Sequence, residues 1–318
     1  MRILVGSCGG LTGLYLVKTL RRMNEKFELY GFDTVFEIPT KFFLDKFYII
    51  TRATEEDRFI EQLINLLCSE QIDIYIPVHS EECRVISKHQ DVIRRSTMTK
   101  FMISPYETFK DLDDKEKAYE NLKALGITTP KVYKSLEEID KFPVVFKPKL
   151  GSGSRRLFLV ESLEEAELLA RKYEDVILVE YLEGKEYTVD LFFDSKGKLI
   201  TYNQRIRIKT LGGAAIITRN DFSIDVKNEI EKISHAYRIV GPANFQFFHT
   251  NDGKVIFTDI NLRFASGGLP LTVESGANIV ELLLLELNGK PYDPSNYQSD
   301  RKKRIMYRYF EECFEVQE

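Results

Sequence analysis

The chain has 318 residues, enough for two domains or one large one with a substantial core. Hydrophobic residues make up 43% and charged residues 30%, ordinary for a globular protein, and a formal net charge of -4 argues against a basic nucleic-acid footprint. Cys8, Cys68, Cys83 and Cys313 form no CxxC pair and the histidines are dispersed, which speaks against a disulfide framework or a zinc site and fits reduced thiols in a cytoplasm. The N-terminus MRILVGSCGG lacks the apolar core and cleavage site of a signal peptide. The most apolar late run, residues 279–287, is far shorter than the ~20 residues of a spanning helix, so no membrane partner is expected.

In chain order, residues 2–5 read as a short buried strand, GSCGGLTG as a glycine turn, and residues 14–23 as a helix. FELYGFD (27–33) is a second strand. EEDRFIEQLINLLCSEQ is an amphipathic helix, with Phe59, Ile60, Leu63, Ile64 and Leu67 at helical spacing. IDIYIPV (72–78) is another strand. This alternation implies a parallel sheet with Rossmann-like winding, ending near residue 100. In DLDDKEKAYENLKALGITTPKVY, Asp113 or Asp114 can cap a helix that stops at Gly126, with Pro130 beyond. From residue 142 the pattern becomes α+β and mostly antiparallel: strands at 176–181, 186–194 and 198–208, helices at 163–173, 225–238 and 277–288, and a hairpin at 243–261. The expected fold is therefore α/β followed by α+β.

Four constellations could carry chemistry. Gly6, Gly9, Gly10 and Gly13, with Asp33 ending the second strand, invite a dinucleotide reading, although GxxGGxxG is not GxGxxG and a tight strand-to-helix turn explains it better. Lys147 with Gly151, Ser152, Gly153, Ser154, Arg155 and Arg156 is either a solvated hairpin tip or a phosphate loop, since glycines let backbone N–H groups approach oxygens and lysine adds a point charge. VEYLEGKEYTVD (179–190) is either a solvated acidic turn or a strand edge for adenine, with Glu186 accepting from ribose. In NFQFFHTNDGKVIFTDINLRF, Asp252-Gly253 signals a two-residue hairpin loop. That register sets Gln246 opposite Asp259 and Asn244 opposite Asn261, all on one face. Left unpaired under a core, such groups cost about 1–3 kcal/mol each. An exposed polar face or a Mg²⁺ site would account for them. Arg263 follows and could offset phosphate charge.

Taken in order, these residues resemble the ATP-grasp superfamily: DK before a helix ending LGI-x-x-P, a lysine and glycine loop, an E-x-x-E-G-x-E-like hinge, and Q…D-x-N-x-R. The likeness covers almost the whole chain. It is nearest to short relatives of the carbamoyl phosphate synthase large subunit, the biotin carboxylase-type branch, whose arginine-rich loop NQRIRIKTLGG (203–213) echoes. The resemblance implies a Rossmann-like pre-ATP-grasp domain over 1–100 that does not bind NAD. An ATP-grasp domain would follow over 101–318, in subdomains 101–181 and 182–318. It implies that Lys115 and Lys147 contact ATP phosphates and that residues 151–154 cover them. Glu180, Tyr181 and Leu182 would hold adenine, and Glu186 ribose. Gln246, Asp259 and Asn261 would hold Mg²⁺ or Mn²⁺, although many members carry an acid in place of Gln246 and glutamate in place of Asp259. Arg263 would steady the transferring phosphoryl group, with Arg205 and Arg207 near the γ-phosphate or the acceptor carboxylate. The implied activity is an ADP-forming ligase joining a small-molecule carboxylate and an amine through an acyl phosphate. Loops 79–82 and 264–269 would line its substrate pocket, and the Rossmann-like half would supply any homodimer interface. The rival readings are an ATP-binding module without chemistry and an NAD-dependent dehydrogenase. The run at 301–304 reads as a solvated charged segment.

Overall fold

The computed structural model describes residues 1–151 and 157–316. Strands β1 (Arg2–Val5), β2 (Glu28–Asp33), β3 (Lys46–Ile49) and β4 (Ile74–Ile76) form a sheet in the order β3-β2-β1-β4, with every pair parallel. Helices α1 (Leu11–Met23), α2 (Glu56–Ser69) and α3 (Ser80–Ser96) cover it. Alternate residues go to opposite faces: Ile3, Val5 and Leu29 pack with Leu16, Val17 and Leu20 of α1, while Leu4, Tyr30 and Phe32 pack with Phe59, Leu63 and Leu67 of α2. Burial on both faces explains why these strands are continuously apolar. Strand β3 and helix α3 were not anticipated. The apolar positions of α3 are spread thinly among charges, and its start, His79 to Glu82, reads as a loop because the capping box there uses histidine.

Next come α4 (Tyr106–Leu112) and α5 (Lys115–Ala124). Asp114 is the α5 cap: its carboxylate accepts from the N–H groups of Glu116 at 2.9 Å and Lys117 at 3.1 Å. The chain leaves α5 through Gly126, whose φ of +70° favours glycine. Strands β5 (Val132–Tyr133), β6 (Val144–Pro148), β7 (Phe158–Val160) and β8 (Val176–Glu180) then form an antiparallel sheet in the order β5-β8-β6-β7, backed by α6 (Leu163–Lys172).

The third sheet is antiparallel. It comprises β9 (Gly184–Phe193), β10 (Leu199–Leu211), β11 (Ala214–Asn220), β12 (Gly241–Thr250), β13 (Val255–Asn261) and β14 (Ile305–Tyr307), in the order β13-β12-β9-β10-β11-β14. Helices α7 (Lys227–Ala236), α8 (Leu269–Glu274) and α9 (Ile279–Leu287) accompany it. One face is apolar: Tyr187, Val189, Phe245, Phe247 and Phe257 join the core with Ile230 and Ile233 of α7. On the other face the registers align Asn244 with Asp190 and Asn261, Gln246 with Thr188 and Asp259, and Arg205 with Thr188. The polar band anticipated for one hairpin therefore runs across several strands.

The β12–β13 hairpin differs in detail from its sequence reading. Thr250 N–H donates to Lys254 O at 2.9 Å, so the loop is Asn251, Asp252 and Gly253, with Gly253 at φ +86°. Phe247 faces Phe257, whereas Gln246 faces Asp259. Thr258 is the extra residue of a β-bulge between them, and it restores the expected pairs.

Candidate functional site

Lys147 is the penultimate residue of β6 and is only 7% exposed. Its ammonium donates to the Tyr119 hydroxyl, lies 3.5 Å from Thr258 O and sits 3.9 Å from Asp259 Oδ2. Burial pulls its pKa down, and the Asp259 charge opposes that. Lys115, the first residue of α5, donates to Gly151 O at 2.9 Å and lies 3.6 Å from Asp259 Oδ1. Two ammonium groups from separate elements thus converge on one carboxylate. Asp113, Lys115, Tyr119, Gly151, Asp259 and Asn261 line the cavity there. Ser152, Gly153, Ser154, Arg155 and Arg156 lie outside the described residues.

Glu186 and Arg207 form an ion pair across β9 and β10, and Arg207 Nη2 also donates to Gly213 O at 2.6 Å. Burial raises the Glu186 pKa against the pull of Arg207. Glu180 closes β8, and its carboxylate accepts from Lys131 N–H at 2.8 Å. Residues 181–183 leave the ladder before β9 begins, with Tyr181 exposed and Leu182 half-buried.

The two arginines of the 203–213 segment part company. Arg207 faces Glu186 and the site. Arg205 is 1% exposed, as is Asp190, to which Arg205 Nε donates at 2.8 Å and Nη2 at 3.3 Å. Thr272 also donates its hydroxyl to Asp190. Arg205 therefore forms a buried pair with Asp190 through Nε and Nη2, while its Nη1 has no hydrogen-bond partner among the described residues. Arg263 is buried too. It donates to Ser80 Oγ at 2.5 Å, Phe264 O at 2.6 Å and Asn261 Oδ1 at 3.4 Å, so it ties β13 to the start of α3. Burial lowers its pKa, while neighbouring acids push back.

Asn261 donates to Asn244 Oδ1 at 3.2 Å, and Asn244 donates to Arg263 O at 3.0 Å, which fixes the amides beside Gln246 and Asp259. Among the described residues no group of three or more His, Cys, Asp or Glu could hold a metal ion. The donor set is one carboxylate and amide oxygens. This suits Mg²⁺, which binds through one or two carboxylates and takes its remaining oxygens from water and phosphates.

The first glycine turn serves packing. Asp33, the acid a ribose would need, accepts from Gly9 N–H and Thr34 N–H, both at 2.7 Å. A Cβ on Gly6 would lie 1.7 Å from Glu82 Oε1, and one on Gly13 would lie 2.5 Å from the Cys8 backbone. The turn also meets the 264–269 segment, where Thr12 donates to Ala265 O at 3.2 Å. Sequence reasoning missed Tyr119, Thr258 and Asp190. The spacing of Lys115 and Tyr119, four apart on α5, was the available signal for Tyr119.

A family model described as an ATP-grasp in the biosynthetic pathway with Ter operon matches residues 172–313. The chain is similar to a D-alanine–D-alanine ligase of Fusobacterium nucleatum, 29% identical over 181 residues, covering 56% of each. An L-arginine-specific L-amino acid ligase of Bacillus subtilis is 26% identical over 156 residues, or 43% of this chain and 38% of that protein. A carbamoyl phosphate synthase large chain of Thermoanaerobacter is 26% identical over 225 residues, or 63% and 21%. The chain thus spans about half the length, or less, of these relatives. Among solved structures, N5-carboxyaminoimidazole synthetase from Staphylococcus aureus complexed with ADP superposes with a TM-score of 0.73 at 14% identity, covering 96% of this chain and 81% of that one. The biotin carboxylase domain of the Hydrogenobacter thermophilus 2-oxoglutarate carboxylase gives 0.71 at 15% identity, covering 92% and 70%. In the order of its motifs and in these matches the chain is similar to ATP-grasp proteins, the family model covering residues 172–313.

Proposed function

We propose that the protein is an ATP-dependent, ADP-forming ligase that joins a small carboxylate, of the amino-acid class, to an amine. The observation that carries this reading is the convergence of Lys115 and Lys147 on Asp259, beside a cavity that Lys115 and Asp259 line. Such an arrangement suits a polyphosphate and its counter-ion. The names of two relatives, a D-alanine–D-alanine ligase and an L-arginine-specific amino acid ligase, support the substrate class.

The substrate carboxylate attacks the γ-phosphorus. The bond to the β–γ bridging oxygen breaks, and ADP leaves with that electron pair. Lys147 and Lys115 stabilise charge on the phosphate oxygens. Arg263, held against Ser80, adds a fixed positive charge nearby. Gln246, Asp259 and Asn261 would hold Mg²⁺, which neutralises phosphate charge when bound. The free amine then attacks the acyl carbon, phosphate departs, and the amine nitrogen gives up a proton. Glu186, steadied by Arg207, accepts from ribose hydroxyls, and Glu180, Tyr181 and Leu182 hold adenine, largely through their backbone. A closed cleft shields the acyl phosphate from water.

We divide the chain near residues 100 and 181, so that the second and third sheets clamp the nucleotide between them. No described helix is long and apolar enough to cross a membrane. The free cysteines agree with a reducing compartment, which favours the cytoplasm.

The test is phosphate release from Mg²⁺-ATP with amino acids supplied singly and in pairs. Release that needs both a carboxylate and an amine supports the ligase. One feature favours a second reading, a nucleotide-binding module without chemistry: the metal set has a single carboxylate. Tight ADP binding with no acceptor-dependent release from any pair would favour that module.

A further inference from the structure

We infer that Tyr119 is a positioning residue for Lys147, holding its ammonium at the phosphate end of the nucleotide site; the inference rests on the nucleotide reading above. Tyr119 is 2% exposed and sits one helical turn after Lys115 on α5, so both side chains point toward β13. Its hydroxyl hydrogen goes to Thr258 O at 2.8 Å. The phenol oxygen is then left to accept, and Lys147 donates to it. Thr258 is the extra residue of the β13 bulge, and its carbonyl also lies 3.5 Å from the Lys147 ammonium. Helix α5, strand β6 and strand β13 therefore meet at one point.

The arithmetic of donors gives the arrangement its meaning. An ammonium has three N–H groups. Tyr119 and Thr258 engage two of them from inside the protein. The remaining direction faces Asp259, 3.9 Å away, the carboxylate toward which Lys115 also points. A lysine stem is flexible, and ordering it on ligand binding costs rotamer entropy. Fixed in advance by Tyr119, the charge needs no reorganisation when phosphate arrives. The bland alternative is that the hydroxyl merely satisfies Thr258 O and helps α5 to pack.

The experiment measures binding of ADP and of adenosine to the full chain by titration calorimetry. The forms are wild type, Tyr119→Phe, Lys147→Ala and the double variant, with Tyr133→Phe as a control that removes a hydroxyl bonded to Asp140 at 2.7 Å. Tyr119→Phe is expected to weaken ADP about tenfold, the size of one hydrogen bond to a charged group, and to spare adenosine. In the Lys147→Ala background it is expected to add nothing, because its effect passes through the lysine. Tyr133→Phe should leave both ligands unchanged. Equal loss of ADP and adenosine on Tyr119→Phe, or ADP losses that multiply in the double variant, would overturn the inference and leave the nucleotide site standing. If wild type binds neither ligand, the proposed function falls and this inference falls with it.

Discussion

Gln246 stands directly opposite Asp259 across β12 and β13, although the hairpin loop joining those strands is three residues long. A loop of that length without correction would shift each partner by one, and a one-residue slip turns side chains to the wrong face. The bulge at Thr258 undoes the shift. It also turns the Thr258 carbonyl toward Tyr119 and Lys147. The device that sets the Gln246–Asp259 register is thus the one that contacts Lys147.

Lys147→Ala should abolish acceptor-dependent phosphate release while leaving the fold intact. The removed charge is a desolvated one, and Asp259 keeps Lys115 as a partner. Circular dichroism and thermal unfolding check the fold, and a phosphate-release assay checks turnover. Retained turnover would show that the site lies elsewhere.

Asp259→Asn removes the one carboxylate of the donor set. The Mg²⁺ concentration for half-maximal turnover should rise by at least about tenfold, corresponding to ~1.4 kcal/mol. An unchanged metal titration would mean that the β12–β13 face does not hold the ion.

Arg205 and Arg207 should separate cleanly. Arg205→Met leaves Asp190 as an uncompensated buried charge, which typically costs about 3–5 kcal/mol. Urea unfolding should show that loss. Arg207→Met should cost less than Arg205→Met, because its Glu186 partner is a quarter exposed, and should in addition weaken ADP.

Stability should fall as pH rises through the titration of Glu82. This carboxyl is buried and takes N–H groups from Val78 and His79 and the hydroxyl of Tyr75, yet burial dominates and raises its pKa. A group that binds its proton more tightly when folded contributes stability below its unfolded value, and that contribution is lost as pH climbs through the folded one. The loss should begin near the ordinary value of 4.5 and continue upward. Glu82→Gln cannot titrate, so its unfolding free energy should vary less with pH across that window. An identical slope in both proteins would contradict the assignment.

Much of this was legible beforehand because it follows from period and punctuation. Alternating strands and helices announced the parallel sheet, the Asp114 cap and Gly126 framed α5, and Asp252-Gly253 announced the hairpin. Period-two alternation put Gln246, Asp259, Asn244 and Asn261 on one face. What was not legible depends on contacts distant in sequence. Nothing local separates Arg205 from Arg207, since both alternate on β10; only Asp190, beside one of them, makes it a buried pair. Tyr119 reads as an ordinary amphipathic-helix residue until β13 is laid across it. The bulge at Thr258 has no glycine to mark it. Helix α3 hid behind its charges, so Ser80 looked like loop rather than the seat of Arg263.

The most direct measurement is a titration of the wild-type chain and Lys147→Ala with ADP and Mg²⁺, with NAD as the comparison ligand. The expected result is saturable ADP binding to wild type, at least about tenfold weaker in the variant, with no NAD binding; at one hundred times its Kd, ADP should add about 2.7 kcal/mol of stability. NAD binding without ADP binding, or ADP binding indifferent to Lys147, would contradict the nucleotide site built around Lys115, Lys147 and Asp259.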